Sequence, residues 1–513
     1  MLGAGCPQGT DCSDPTNAEA CGKEAVTLIL TTESDVVRLK PGEHATLKVT
    51  VERKGDWEGK GSVTLDAVDL VGGVTMTPVE LTKPANEATI EFSATDAVAT
   101  GVFPFRLIAR PQDYRIPLSD IQVEIVVPGP SGSPDLSFGT SGAATYGQNG
   151  REFRILGTEL DAHGRVLVVG YDDADNDPYD PIIFRFFSTG QLDEDFSEAV
   201  EVISNESIYR DVVSLPNGDI FTASQEFDEG GELTVTVSKY QDNGQLDMQF
   251  GNGGAAVTEN LFSDLARVRL IARTEDLLLI GRDKVRSFDF SGHPNNAFGA
   301  DSVLHALPIL LQETLLDTDE VFAIGVYEEP HKDLALVIGD DATEIEGDIV
   351  DLATAVKELQ PDAYYADLDA CDQQSPGYLV CVGIYGVSHG TGSDLTGMLL
   401  RLSVDAELDA TFGQGGLILG DSVASLDTTM DQIRVVGDQK FLTCEAESSA
   451  DDVHFYVTGF HPDGEVDTSF GSDGRTEVLG CSEILVNQHY GMFVMVNSTK
   501  EGEIQISRYW LWQ

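Results

Sequence analysis

Three features of the sequence predict an all-β chain, a seven-bladed β-propeller preceded by an immunoglobulin-like β-sandwich. A six-residue motif ending in Phe-Gly recurs from residue 134 to the C-terminus. Short apolar runs follow each copy in the same order, separated by Gly-containing turns. Residues 24–128 alternate apolar and polar residues along several runs and lack the motif.

The motif reads Pro134-Asp135-Leu136-Ser137-Phe138-Gly139, Leu192-Asp193-Glu194-Asp195-Phe196-Ser197, Leu246-Asp247-Met248-Gln249-Phe250-Gly251, Pro294-Asn295-Asn296-Ala297-Phe298-Gly299, Leu408-Asp409-Ala410-Thr411-Phe412-Gly413 and Val466-Asp467-Thr468-Ser469-Phe470-Gly471. The starts at 134, 192, 246 and 294 lie 58, 54 and 48 residues apart, and the gap of 114 to residue 408 holds two units, one without its start. A second landmark, an apolar run after a turn, falls at 166–169, 220–221, 277–280, 321–324, 378–382, 441–444 and 492–496, which makes seven units. A third run follows, as in 182–187, 233–237 and 504–510. Runs rich in Val, Ile, Phe and Tyr with Asn243-Gly244, Ser291-Gly292 or Asp463-Gly464 between them are antiparallel hairpin signals. About four strands in a unit of roughly 50 residues is the pattern of a propeller blade.

The combined pattern, Leu-Asp-x-x-Phe-Gly at the repeat start and an Asp-Gly turn before an apolar strand, resembles the delta-60 family of bacterial repeats over residues 134–513. The resemblance implies a propeller-like β architecture in secreted or surface proteins, mostly without an assigned activity, and it transfers no catalytic residue. Asn295 in place of Asp, Ser197 in place of Gly and the missing start of the fifth unit blur the blade boundaries near 340–360. The repeated Asp is expected to accept backbone N–H bonds in a turn, the Phe to insert between adjacent sheets, and the Gly to supply a positive φ.

Ahead of the repeats, runs at 26–30, 45–51, 62–65, 88–92, 103–108 and 121–126 fit sandwich strands, although the Cys and Trp marks of antibody domains are absent. Residues 129–133, Gly-Pro-Ser-Gly-Ser, read as an interdomain linker. Residues 1–23 have the composition of a disordered tether. In it, Leu2-Gly3-Ala4-Gly5-Cys6 resembles the cleavage box of a bacterial lipoprotein, which would make Cys6 the lipidated residue, with Leu2 one place too far from the cysteine and no signal region before it.

The chain holds 87 acidic against 31 basic residues, a formal charge of -56. Such a surface repels phosphate backbones and anionic lipid heads, so nucleic acid is excluded as a partner and a membrane is met only through a lipid anchor. No apolar stretch of membrane-spanning length occurs. With Cys6 assigned to lipid, the remaining six cysteines can pair as Cys12 with Cys21, Cys371 with Cys381 and Cys444 with Cys481; six cysteines allow about fifteen pairings, and buried free thiols are the alternative. Disulfides agree with an extracytoplasmic place, as an outer-membrane lipoprotein or a secreted protein.

The candidate cofactor is calcium. In the run from Asp172 to Asp180, Asp173, Asp175 and Asp177 alternate so that their carboxylates can meet a hard cation, against the plainer reading of a solvated hairpin loop. Gly386-Val387-Ser388-His389-Gly390 has the letters of a nucleophile elbow, but a strand follows it where that chemistry needs a helix, so it is rejected. The nine histidines show no zinc spacing. With so many acids, a carboxylate pair for glycoside cleavage has no distinguishing signal. The expectation is a non-enzymatic extracytoplasmic binding or display protein, its protein or polysaccharide ligand held by propeller loops. The alternatives are an extracellular carbohydrate-active enzyme and a calcium-stabilised adhesion or envelope component.

Overall fold

The structure, a computed structural model, describes residues 27–512 apart from short stretches, the longest of which are 174–179, 201–206, 260–267, 296–302, 339–344 and 421–427; over 301–350 it describes backbone alone. The chain is all-β, with 59% strand and 4% helix. It forms two compact units, residues up to 129 with 135–137, and 130–134 with 138–512.

In the first unit, strands Thr27–Thr32, His44–Lys54, Glu87–Ala94 and Val74–Met76 form one sheet in that order, and Val36–Arg38, Ser119–Val127, Gly101–Pro111, Val63–Val68 and Val79–Leu81 form another. Alternation decides which face is buried. Leu47, Val49 and Val51 point inward from His44–Lys54, while Thr46, Lys48 and Glu52 face solvent. Both sheets feed one apolar core, in which Phe92 and Phe105 meet edge to face at 5.4 Å. Three strands of three residues each, Val36–Arg38, Val74–Met76 and Val79–Leu81, are too short to show a period in sequence.

The second unit is a succession of antiparallel meanders. Among the described residues these are Phe153–Leu160, Val166–Asp172 and Asp180–Phe186; then Ile208–Ser214, Ile220–Phe227, Leu233–Tyr240 and Ala255–Glu259; then Arg269–Ala272, Asp276–Ile280, Lys284–Asp289 and Val303–His305; then Ile309–Leu315, Val321–Tyr327, Lys332–Ile338 and Ile345–Val350. A fifth comprises Ala363–Ser375, Tyr378–His389, Gly392–Ser403 and Leu417–Leu419, and a sixth Thr428–Val435, Phe441–Ser448, Val453–Phe460 and Arg475–Val478, joined to the fifth by the single bridge of Thr396 to Thr428. The last holds Glu483–Asn487, Met492–Ser498 and Ile504–Trp510, and takes its fourth strand from Ala143–Tyr146, with Ala143 opposite Ser507. The two ends of the repeat region therefore share one sheet.

The repeated motif has one geometry throughout. The N–H of Asp193, Asp247, Asn295, Asp409 and Asp467 donates to the carbonyl eight residues earlier, at 2.8–3.0 Å. The carboxylates of Asp193, Asp247, Asp409 and Asp467 then accept an N–H two or three residues on, from Phe196, Gln249, Thr411 and Ser469. A cation neutralises each of these buried or half-buried carboxylates: Arg185 for Asp193, Lys239 for Asp247, Arg401 for Asp409 and Lys440 for Asp467. Charge-assisted bonds of this kind are about twice as strong as neutral ones. The Phe that follows packs between neighbouring sheets. Phe250 joins the core shared by the second and third, Phe412 that of the fifth and sixth, and Phe138 that of the first and last. At Gly413, φ is +51° and a Cβ would lie 2.3 Å from the Leu417 carbonyl oxygen, so only glycine fits.

Residues 129–133, read from composition as a linker, are tied down. The Gly132 N–H donates to Trp510 O at 2.8 Å, Ser131 O accepts from the Gly471 N–H, and Ser133 O accepts from the Trp510 N–H. Gly, Pro and Ser also suit tightly docked turns, and composition does not separate the two cases.

Candidate functional site

The strands of each meander differ in polarity, and the difference builds a site. Second strands are buried on both faces: every residue of Asp276–Ile280 is buried, as are Val166 to Val169. The first strands whose side chains are described carry polar residues, and five of the seven first strands bulge in the pairing with the second strand. The extra residue falls between Ile155 and Gly157, Tyr209 and Asp211, Leu310 and Gln312, Leu368 and Ala370, and Met430 and Gln432. A bulge re-aims the side chains that follow it. Gly157 is required there, because a Cβ would lie 2.8 Å from the Cα of Asp211 on the neighbouring meander.

Six of these first strands line one cavity of about 400 Å³. Its ionisable residues are Glu159, Asp211, Arg269, Asp372, Arg434 and Glu483, from the first, second, third, fifth, sixth and last meanders. Two aspartates act as struts. Asp211 accepts from its neighbour Val212 and, with its other oxygen, from the Leu270 N–H on the next meander at 2.8 Å. Asp372 repeats the device with Gln373 and, at 2.6 Å, with the Val435 N–H. Arg434 pairs with Glu483 and donates to Ile433 O. Burial pushes the Asp211 carboxyl up, against Arg269 and the two N–H donors, which pull it down.

Glu159 differs from these. Its carboxyl accepts from the Ser214 hydroxyl at 3.3 Å and interacts with the Ser214 backbone, and no cation among the described residues pairs with it. Burial first, then the charges of Asp211 and Asp161, push it up to about 8. At neutral pH it is a carboxylic acid, able to donate as well as accept, beside ionisable partners. The cavity thus offers acceptors, guanidinium donors and one neutral acid within a volume that suits a small ligand. A second cavity, about 520 Å³ beside Gln360, Tyr385, Gln414 and Leu417, has amide, phenol and apolar lining residues and no carboxylate or cation among them.

The residues singled out from sequence lie elsewhere. Asp173 is exposed and faces the Arg154 guanidinium at 3.3 Å; Asp175 and Asp177 lie outside the described residues. Among the described residues no group of three His, Cys, Asp or Glu is placed to hold a metal ion. Cys371 and Cys381 face each other on adjacent strands and are bonded, as are Cys444 and Cys481. Cys6, Cys12 and Cys21 lie outside the described residues. Ser388 sits within strand Tyr378–His389 opposite Ser393, with no elbow. Sequence reading missed Glu159, Asp211, Asp372 and Glu483. Their one shared signal is a polar residue in the strand just before each apolar landmark, and 87 acids concealed it.

No protein-family model and no curated protein matches the chain. Among solved structures it is similar to domains 5–6 of the S-layer protein SbsC, with a TM-score of 0.16 and 16% identity over 46% of this chain and 97% of that one. It is similar to the CNH domain of AfRom2, with a TM-score of 0.29 and 9% identity over 61% and 98%. A thermostable family-43 glycoside hydrolase gives a TM-score of 0.26 and 8% identity over 63% and 94%. At these TM-scores the likenesses carry no argument about this chain's chemistry. No helix among the described residues is long and apolar enough to cross a membrane.

Proposed function

We propose that this chain is an extracytoplasmic binding protein of the delta-60 repeat kind, in which an immunoglobulin-like module precedes a seven-bladed propeller that holds its ligand in the central polar cavity. One observation carries the reading: first strands of six meanders contribute to a single cavity, the place where a propeller presents residues from every blade. The strand shared between the two ends of the repeat region supports a closed ring, and the two disulfides support a place outside the reducing cytoplasm. Asp211, Asp372 and Arg434 are already engaged in joining blades, which favours binding over turnover.

A second reading has a specific observation behind it. A carboxyl held protonated at neutral pH beside a second carboxyl that an arginine and two N–H donors pull toward the charged form is the arrangement of an acid and base pair, so Glu159 with Asp211 could cleave a glycosidic bond. The purified chain is therefore incubated with a panel of extracellular polysaccharides, with and without calcium, and both retention and new reducing ends are measured. Saturable retention without new ends supports the binding reading. New ends that vanish in Glu159→Gln overturn it in favour of the enzyme.

A further inference from the structure

The cavity's charges do not balance. Four carboxyl groups face two guanidinium groups, and both guanidinium groups are spoken for: Arg434 lies against Glu483, and Arg269 stands 3.8 Å from Asp211. Asp372 is satisfied by two backbone N–H groups. The imbalance is therefore concentrated at Glu159, whose surroundings supply only Ser214 and the negative charges of Asp211 and Asp161. Asp161 is itself paired with Arg165. In the same wall the Thr158 hydroxyl oxygen is buried and makes no hydrogen bond. Taking a carboxyl out of water without a cation beside it is costly, and so is burying an unbonded hydroxyl.

Building on the binding reading above, we propose that the cavity takes a small organic cation, a ligand whose ammonium group docks against Glu159 and Asp211 as the missing counter-charge. A bare metal ion fits less well, because the described residues hold no cluster of three ligating side chains. An ammonium needs fewer, more loosely placed acceptors, and a carboxylate with a hydroxyl beside it supplies them. The half-buried lining residues Val213, Ile271 and Ala272 give the remainder of the ligand an apolar wall. The surrounding acidity of the chain raises the local concentration of any cation at the mouth.

The proposal carries a proton signature. The empty site holds Glu159 as the acid at neutral pH, and a docked ammonium favours the carboxylate, so binding expels a proton. The groups facing Glu159 across the cavity are Asp211, Arg269, Asp372, Arg434 and Glu483, with Asp161 on its own strand's exit; of the carboxyls among them Asp211 already accepts two backbone N–H groups and stands by Arg269, Asp372 accepts two backbone N–H groups, Glu483 pairs with Arg434 and Asp161 with Arg165.

The test is calorimetry on the full chain with glucosamine and 1,5-diaminopentane, against glucose and 1,5-pentanediol as uncharged counterparts, in two pH 7 buffers of different ionisation enthalpy. The expected result is binding of the amines at least tenfold tighter than of the uncharged probes, with release of roughly 0.9 proton per site for the fully protonated 1,5-diaminopentane, the protonated fraction of an acid near 8 at pH 7, and a smaller net release for glucosamine, whose own amine titrates near neutrality and takes up part of a proton on docking. Glu159→Gln should abolish the proton release and weaken amine binding at least tenfold. Ser214→Ala, which leaves the acid in place, should keep the proton release and guards against a folding artefact. Equal binding of charged and uncharged probes, or amine binding with no proton released, overturns the cation proposal. Polysaccharide retention that survives Glu159→Gln leaves the binding reading intact while the cation proposal fails, and loss of all retention by the native chain rejects the binding reading itself.

Discussion

Two carboxyl groups in this chain are driven in opposite directions by the presence or absence of a neighbouring cation. Burial alone would raise Asp467, but the Lys440 ammonium at 2.6 Å, with the Ser469 hydroxyl and N–H, outweighs it and holds the acid well below the usual carboxylate range. Glu159 has the burial and no cation, and rises to about 8. Linkage turns these into opposite slopes. The folded state keeps a proton on Glu159 that the unfolded chain releases above about 4.5, so this residue lowers stability progressively as pH rises from there to about 8. Asp467 contributes stability that is present above its ordinary value of 3.8 and is lost as pH falls below it. Urea unfolding across pH 3 to 9 should show Glu159→Gln gaining stability over the native chain above pH 7, and Asp467→Asn losing it there but converging with the native chain in acid. Parallel curves for native and variant would show that neither neighbourhood sets the acid's state.

At the scale of the element, the sheet made from both ends of the repeat region is the most exposed to a single loss. Strand Ile504–Trp510 pairs on one side with Met492–Ser498 and on the other with Ala143–Tyr146, and six of its seven residues are buried. Trp510 is among the largest fully buried side chains, and its carbonyl and N–H hold Gly132 and Ser133. Truncating a buried aromatic costs about 3–5 kcal/mol, transfer and cavity together. Trp510→Ala should therefore destabilise the second unit by about that amount, read as a lower urea midpoint, and raise protease cleavage near residues 131–133. The same substitution at exposed Tyr378 should leave the midpoint within about 0.5 kcal/mol of the native chain. A cost at Trp510 as small as that at Tyr378 would mean that the shared sheet contributes little.

The whole molecule carries a formal charge of -56, and its fold must hold that charge together. Cations are placed where they neutralise repeated carboxylates, as Arg185, Lys239, Arg401 and Lys440 do, so most of the remaining acid is unopposed on the surface. Self-repulsion of that kind is screened by salt, the Debye length shrinking from about 10 Å at 0.1 M to about 3 Å at 1 M. Sodium chloride raised from 0.05 to 1 M should increase the Tm, and should increase it more than an uncharged osmolyte does. A Tm unmoved by salt would mean that the surface charges are already compensated.

What could be read from residues alone follows from what repeats. The all-β class, the recurrence of strand runs through the repeats, and the roles of Asp409, Phe412 and Gly413 were legible because each depends on neighbours within a few residues, and because the same local solution recurs at Asp193, Asp247 and Asp467. The cavity was not. Glu159, Asp211, Asp372 and Glu483 are separated by 52, 161 and 111 residues, and only the pairing of strands across the whole second unit brings them to one space. The turn chemistry of a Phe-Gly motif is a short-range property, carried by φ angles and N–H groups that the local sequence names. The state of a buried carboxyl is long-range, set by which other strands exclude water from it and whether one of them offers a charge.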